Sequence, residues 1–329
     1  MFYLGAAFLL FKKLSHPDFQ KWKLEFAALL KSSEKFDRKR FRGILTGIGL
    51  LYVVAIIILF NVWYAKYKLS RFHFFDDSGE WFQMDKAGHV LTAYQESRWV
   101  NEMILWSGID RKKSANWAMG YGMGFQTSIE LLDGFADKWG FSYSDMIANT
   151  TGAALFGAQE KLWGEQRIMM KVSNTPIKYP DFKVLSDDKN TTDSVNRRAK
   201  DLFGDNYLQT FFKDYNALIF WTSINIKSFF PESKVPDWLN VAVGYGAENL
   251  FGGFENVWND KLGHHFTLDT KQFPRYRQMY ISLDVDFTRL KTGTQYAHIF
   301  KHFINFLKCP APAIELSTEK GIKFHPLLF

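Results

Sequence analysis

The pattern of hydrophobic and polar positions begins with one long apolar segment. Residues 43–64 carry no charge for about twenty residues, which is long enough to cross the hydrocarbon core of a bilayer. Four basic residues precede this run, and Trp63 and Tyr64 at its far end are typical of an aromatic belt at a membrane interface. We therefore expect an uncleaved transmembrane anchor, or the first helix of a bundle, with its N-terminal side in the cytoplasm.

Residues 1–42, which precede this run, combine a short apolar start with a basic amphipathic pattern. The apolar start is too short to span a bilayer. The pattern favours either a helix lying on an anionic membrane surface or a poorly ordered leader.

Three further helices are predicted downstream of a polar, aromatic connector. They cover residues 84–106, 112–132 and 144–163, with breaks at Ser107-Gly108 and Asp133-Gly134. Ser142 or Ser144 can cap the last helix. The second and third helices are rich in Gly and Ala, which lets helix backbones approach closely.

Beyond residue 165 the pattern changes to one typical of strands. Residues 218–225 and 279–288 alternate with a period of two, as strands with two different faces do. The segment Gly244-Tyr245-Gly246 is interpreted as a turn, and too few strands are visible to predict a closed barrel. We expect an α+β fold: a membrane-associated four-helix unit followed by a C-terminal β-containing domain.

The domain boundaries follow from these changes in pattern. The prediction has four parts: leader 1–42, anchor or first bundle helix 43–64, helical domain 65–165, and C-terminal domain 166–329.

Composition and charge narrow the class of protein. The chain has 329 residues and a net charge of +7, and aromatic residues make up 18% of it, which fits a membrane-interface protein or a Phe-rich core. Most of the positive charge precedes the apolar run, whereas a nucleic-acid-binding protein carries it on the folded domain. We therefore expect no nucleic-acid partner. The single cysteine, Cys309, excludes an intrachain disulfide and a Cys-based zinc site.

Polar residues at helical spacing form the candidate site. Three pairs each share a helix face: Asp85 with His89, Glu130 with Asp133, and Asp145 with Asn149. In an up-down bundle with short loops, the start of one helix, the end of the next and the start of the last lie at the same end. We therefore predict that all three pairs converge, beside the end of the anchor helix.

Three kinds of chemistry remain open for this cluster. His89, Glu130 and Asp145 are the candidate ligands of a divalent metal, the one cofactor that the residues suggest. The same groups could act as general acid and base. Alternatively, an Asp–His pair, a capping Asp145 and a hydrogen-bonded Glu130 could hold the helices together without other chemistry.

The motifs Asp85-Lys86-x-x-His89, Glu130-x-x-Asp133-Gly134 and Ser142-x-x-Asp145, with Ala148-Asn149-x-x-Gly152, resemble the YfiM-like predicted periplasmic lipoproteins (domain of unknown function 2279). That bacterial envelope family is distantly similar to the VanZ-like membrane proteins. The resemblance covers roughly residues 43–165, and the C-terminal half looks like the extension of long Bacteroidetes members. The chain departs from the lipoprotein pattern, since it has no lipobox cysteine, and this favours residues 43–64 as the anchor.

The resemblance implies an envelope location and brings no catalytic residues with it. We expect a membrane-anchored envelope protein with most of its chain in the periplasm and a binding or scaffolding role. Its partners would be the membrane and an envelope lipid or protein. The alternatives are an enzyme acting on a lipid headgroup or envelope glycolipid through His89, Glu130 and Asp145, and an acid-lined ion path.

Overall fold

The computed structural model describes residues 31–64 and 68–329, and its fold is α+β, as predicted. The first thirty residues of the predicted leader lie outside this range. The described chain contains eight α-helices: α1 (Arg38–Leu59), α2 (Met84–Leu105), α3 (Arg111–Gly134), α4 (Tyr143–Leu162), α5 (Val195–Phe203), α6 (Tyr207–Lys213), α7 (Ile226–Phe229) and α8 (Gln295–Ile304). Its strands are β1 (Ile168–Asn174), β2 (Lys183–Leu185), β3 (Thr192–Ser194), β4 (Leu218–Asn225), β5 (Leu239–Glu248), β6 (Val257–Asn259), β7 (His265–Thr267), β8 (Tyr276–Val285), β9 (Ala311–Ser317) and β10 (Gly321–Leu328).

The three helices predicted after the anchor are α2, α3 and α4, and each begins and ends within two residues of its predicted bounds. Side chains cap two of them. Asp110 accepts a hydrogen bond from the backbone N–H of Lys113, and Ser142 accepts one from that of Asp145. These caps satisfy backbone donors that a helix start leaves without partners.

Helix α2 lies at the centre and packs on both α3 and α4. Glycine permits the close approach of α4, because a Cβ at Gly152 would lie 2.2 Å from the Val90 carbonyl oxygen. At Gly122 of α3, a Cβ would lie 2.5 Å from the Ser97 hydroxyl. The small residues noted in the sequence therefore set the helix spacing.

Helix α1 is the one described helix that is long and apolar enough to cross a membrane. Only Ile48 of its side chains is buried. Tyr52 packs edge-on against Tyr121 and Phe125, so α1 lies along α3. Tyr64, which was predicted to belong to an aromatic belt, is buried instead, and its hydroxyl donates to Asp133 at 2.8 Å.

Six strands form one antiparallel sheet in the order β1-β4-β5-β8-β9-β10. Strand β4 has its predicted bounds, whereas the predicted strand at 279–288 begins at Tyr276 and ends at Val285. The predicted turn at Gly244–Gly246 is wrong, because these residues lie inside β5. Glycine occurs there because the ring of Trp221 lies over the backbone, 2.7 Å from where a Cβ of Gly244 would stand.

The sheet packs against α2 through β1 and β4. Met170 and Leu218 belong to the same hydrophobic core as Leu91 and Tyr94 of α2. The Gln95 amide of α2 donates to the Met170 carbonyl, which fixes the helix against the edge of the sheet. The helices and the main strands therefore run side by side.

The two ends of the helical unit differ in charge. Arg111 at the start of α3 pairs with Glu160 near the end of α4 at 2.8 Å, and Arg40 of α1 lies over the Trp106 ring that follows α2. These contacts bring the basic start of α1 to this end. The predicted acidic residues lie at the opposite end, beside Tyr64.

Candidate active or cation-binding site

The three predicted polar pairs converge at one end of the bundle. The Nε2 atom of His89 lies 3.8 Å from Asp85 Oδ1, 3.9 Å from Glu130 Oε1 and 3.7 Å from Asp145 Oδ1. Its Nδ1 donates to Asn149 Oδ1 at 3.0 Å. The distances confirm the convergence that helical spacing and topology predicted, while the chemical role of the cluster stays a prediction.

A strained turn places the first pair. Trp81, Phe82 and Gln83 all have positive φ, of 50°, 51° and 62°, directly before α2 begins at Met84. Non-glycine residues rarely adopt this region, and they are held there when the surroundings over-determine them. The Arg277 guanidinium lies 4.1 Å above the Phe82 ring and the Trp81 N–H donates to the Gly253 carbonyl at 2.8 Å, so the C-terminal half holds the turn.

Lys86 is the counter-ion of the cluster. Its Nζ lies 2.6 Å from Asp145 Oδ1, 2.8 Å from Asp77 Oδ1 and 3.1 Å from Asp85 Oδ2. Asp77 also accepts hydrogen bonds from the hydroxyls of Ser142 and Ser144. The Lys86 ammonium group thus links three segments of the chain: the loop before α2, the start of α2 and the start of α4.

A cavity of about 270 Å³ opens onto these groups. Its lining combines carboxylates with aromatic rings and includes Leu59 near the end of α1. Five carboxyl groups line it: Asp77, Glu80, Asp85, Asp133 and Asp145. Glu130 Oε1 lies 3.9 Å from His89 Nε2, so the cluster holds six carboxyl groups beside the basic groups Lys86 and His89.

This imbalance and burial shift the pKa values of the cluster. Burial raises the pKa of Glu130 to about 8, and burial together with the charge of Asp85 raises that of Asp145. Burial also acts on Asp77, but hydrogen bonds from Asp145, Lys86 and Ser142 outweigh it and hold its pKa at about 2. Burial also acts on Asp85 and His89, but their mutual attraction outweighs it: with Lys86 and Tyr215, His89 lowers the pKa of Asp85, and the neighbouring carboxylates raise the pKa of His89. Glu130 and Asp145 are therefore the carboxyl groups beside His89 whose pKa values are raised.

Glu130 has one oxygen without a partner. Its Oε2 accepts the Ser142 N–H at 3.3 Å, whereas Oε1 is buried and has no hydrogen-bond partner among the described residues. Buried polar atoms in native proteins are nearly always paired with protein, water or an ion. The nearest basic atom to Oε1 in the cluster is His89 Nε2, at 3.9 Å.

The arrangement around His89 suits a cation better than direct hydrogen bonds. Asp85, His89 and Asp145 each offer one ligand atom, and these atoms lie within 4.8 Å of one another. Ligands of a tetrahedral ion at about 2.1 Å stand roughly 3.4 Å apart, so these atoms would have to move closer by up to about 1.4 Å to close around an ion. Asn149 fixes the ring of His89 through Nδ1, as outer-shell partners of metal-binding histidines do.

Sequence reasoning missed several members of the cluster. Asp77 lies in the connector, and Tyr215 lies 130 positions after Asp85, to whose Oδ1 its hydroxyl donates at 2.6 Å. No helical spacing links these residues to the three pairs. Lys86 could have been found, because it stands next to Asp85 and would need anionic partners if buried.

The match to a family model is confined to this helical region. Residues 73–158, about a quarter of the chain, match the model of a family described as "Predicted periplasmic lipoprotein (DUF2279)". Neither a search of curated proteins nor a search of solved structures found a match. The matched range contains every predicted site residue, and it supports a membrane-anchored location in the bacterial envelope and periplasm.

Proposed function

We propose that this chain is a membrane-anchored envelope protein that binds a divalent cation at the carboxylate-rich end of its helical unit. The observation that carries the proposal is the buried, unpartnered Oε1 of Glu130, 3.9 Å from His89 Nε2. A cation on this side of His89 would have four candidate ligands: Asp85, His89, Glu130 and Asp145. Of these, Asp85 Oδ1 also accepts the Tyr215 hydroxyl, and Asp145 Oδ1 also contacts the Lys86 ammonium group. It would also offset the excess of carboxylates that Lys86 leaves uncompensated.

The donor set indicates the class of cation. One imidazole nitrogen with carboxylate oxygens suits Zn²⁺ and Mn²⁺ better than thiolate-preferring ions, since no cysteine is near. Binding would draw α2, α3 and α4 together, because the four ligands come from all three helices. The role of such a site would be to hold a binding or scaffolding surface in one conformation.

Calorimetric titration of the full chain in detergent tests the proposal. We expect one Zn²⁺ or Mn²⁺ to bind the wild type and the His89→Ala variant to lose this binding. His264→Ala is the matched control, because His264 also lies 2.8 Å from a carboxylate, Asp260, but far from the cluster in sequence and in a separate hairpin. Equal binding by His89→Ala and the wild type would contradict the proposal.

The charges at the two ends support an orientation in the membrane. The basic start of α1 would stay in the cytoplasm, and the cavity would face the periplasm. On this proposal α1–α4 are the membrane-associated, VanZ-like unit and the C-terminal half is the extension of long Bacteroidetes members.

Single cysteines on either side of α1 test this orientation in a Cys309→Ser background. In intact cells we expect an impermeant thiol reagent to label Leu69→Cys, whose side chain is exposed beyond α1. Phe36→Cys, exposed before α1, should react only after the inner membrane is breached. The reverse result would contradict the orientation.

A second candidate is an enzyme that acts on a lipid headgroup or envelope glycolipid. The cavity of about 270 Å³ favours it, because it lies beside the end of α1, where a headgroup would be found. His89 and Glu130 would then serve as acid and base. This candidate predicts release of a headgroup from labelled envelope lipids by the wild type and none by a folded Glu130→Gln variant.

A further inference from the structure

The interior of the six-stranded sheet combines many buried polar side chains with a small hydrophobic cluster around Trp221 and Tyr280. Lys171 and Asp284 form a fully buried ion pair at 2.8 Å. Glu315 accepts a hydrogen bond from the Gln278 amide at 2.8 Å and lies 2.6 Å from His325 Nε2. These side chains point to one face of β1, β8, β9 and β10, and they satisfy one another there.

The sheet is rolled so that this polar face lies inside. Leu328 of β10 packs against a cluster that includes Ile219 of β4, although three strands separate β10 from β4 in the sheet order. The Thr175 hydroxyl, just after β1, donates to the Phe329 carbonyl at 3.1 Å. The first and last strands therefore approach each other, and the outward face is convex.

The outward face of β5, β8, β9 and β10 is exposed and apolar. The alternation is the reverse of that in a water-soluble sheet, because the exposed positions are aliphatic or aromatic and the buried ones are largely polar. We name the exposed set the outer band: Val243, Met279, Ile281, Leu283, Ile314, Leu316, Ile322 and Phe324. An apolar exterior over a polar interior is the pattern of strands that face lipid.

Lateral contacts link the middle of this band to helix α2. Ile281 pairs with Val243, Val243 pairs with Thr222, and Thr222 pairs with Met170 across successive strands. The Gln95 amide of α2 then donates to the Met170 carbonyl. Since paired residues lie side by side, Ile281 and Gln95 stand at a similar height along the molecule.

Further contacts connect this level of α2, through α3, to the middle of α1. Gly122 of α3 lies against Ala93 and Ser97, on either side of Gln95. Tyr52 of α1 packs against the neighbouring ring Tyr121. The outer band therefore lies at the level of the centre of the apolar helix, and a bilayer crossed by α1 would meet it.

We propose that the outer band contacts the acyl chains of the bilayer in which α1 is anchored. A protein partner is a poorer occupant, because protein interfaces carry about one hydrogen bond per 100–200 Å² and the band offers no hydrogen-bonding side chain. Fluid lipid covers a convex apolar surface without such groups. The inference rests on the proposed anchoring by α1. It places the sheet beside the lipid, whereas the sequence predicted a C-terminal domain in the periplasm.

Fluorescence quenching in vesicles tests the inference. Single cysteines replace exposed residues in the full-length Cys309→Ser chain, which is labelled with a fluorophore and reconstituted in phosphatidylcholine carrying a spin label midway along the acyl chain. Two positions lie in the band: Ile281→Cys, 52% exposed, and Leu316→Cys, 46% exposed. Val53→Cys on α1 reports anchoring, and Leu262→Cys, an 83% exposed apolar residue in the β6–β7 turn, is the matched control.

We expect fluorescence loss at Ile281→Cys and Leu316→Cys equal to that at Val53→Cys, and none at Leu262→Cys. Loss at Val53→Cys alone would overturn the lipid contact while leaving the anchor intact. Absence of loss at all four positions would overturn both. Disulfide cross-linking between copies through Ile281→Cys, without quenching, would assign the band to a second copy of the chain and also overturn the inference.

Discussion

Replacement of Glu130 by Gln separates a cation site from a network that only holds the helices together. Glu130 is buried with one oxygen that has no hydrogen-bond partner among the described residues, and burial raises its pKa to about 8 from an ordinary value of 4.5. Because the pKa of Glu130 is higher in the folded chain than in the unfolded chain, the free energy of unfolding falls as the pH rises from 4.5 to about 8. At pH 7 this costs on the order of 3 kcal/mol.

Glu130→Gln removes that cost, and the amide adds unpaired donors that return about 1 kcal/mol of it. The net expectation is a stabilisation of about 2 kcal/mol in EDTA, which corresponds to a rise of a few degrees in the apparent melting temperature. With Zn²⁺ or Mn²⁺ present, the variant should lose most of the rise that the cation gives the wild type. The lost ligand should weaken binding at least tenfold.

Thermal unfolding of the detergent-solubilised full chain, in EDTA and across a cation titration, measures both effects. Glu315→Gln is the matched control, because Glu315 is equally buried but fully partnered in the sheet. It should destabilise the protein and leave the cation response unchanged. A Glu130→Gln variant that melts several degrees lower in EDTA and keeps the full cation response would refute the cation site and support a structural network.

Four further substitutions test individual contacts or the burial of single residues. Lys86→Met removes the counter-ion of three carboxylates and should cost about 3–5 kcal/mol in EDTA, with partial rescue by a divalent cation; a neutral effect on melting would contradict this. Gly152→Ala places a methyl group 2.2 Å from the Val90 carbonyl oxygen, and should cost about 1–3 kcal/mol. Gly120→Ala, which meets nothing within 4 Å, should instead gain about 0.5–1 kcal/mol in the same melting assay. Burial raises the pKa of Glu80 to about 7, so the folded chain loses stability as the pH rises toward that value. In EDTA, Glu80→Gln should therefore melt progressively higher than the wild type from pH 5 to about pH 7, and the difference should level off above that. A constant difference across that range would show that Glu80 does not titrate in the folded chain.

Local patterns predicted the helical half well. The bounds of α2–α4 and the convergence of the three polar pairs follow from helical spacing, caps and short connections, all of which are local properties. These predictions were correct because they did not depend on where distant segments of the chain pack.

Contacts between distant segments account for what the sequence did not predict. Tyr215 reaches Asp85 only through the packing of the C-terminal half on the bundle, and the glycines of β5 were interpreted as a turn because Trp221, which occupies the space above them, is remote in sequence. The alternation of β8 predicted a strand with two faces. It could not show which face lies inside, because the polar residues satisfy one another only when several strands come together.

The position of a bound ion would distinguish a cation site at His89 from a network that only holds the helices together. The measurement is an anomalous difference map from crystals of the full chain grown in detergent with Mn²⁺ or Zn²⁺. We predict one peak at about 2.0–2.2 Å from His89 Nε2, within ligand distance of carboxylate oxygens of Asp85, Glu130 and Asp145. A map with no peak beside His89 at saturating cation, or with peaks only at surface carboxylates elsewhere, would contradict the account.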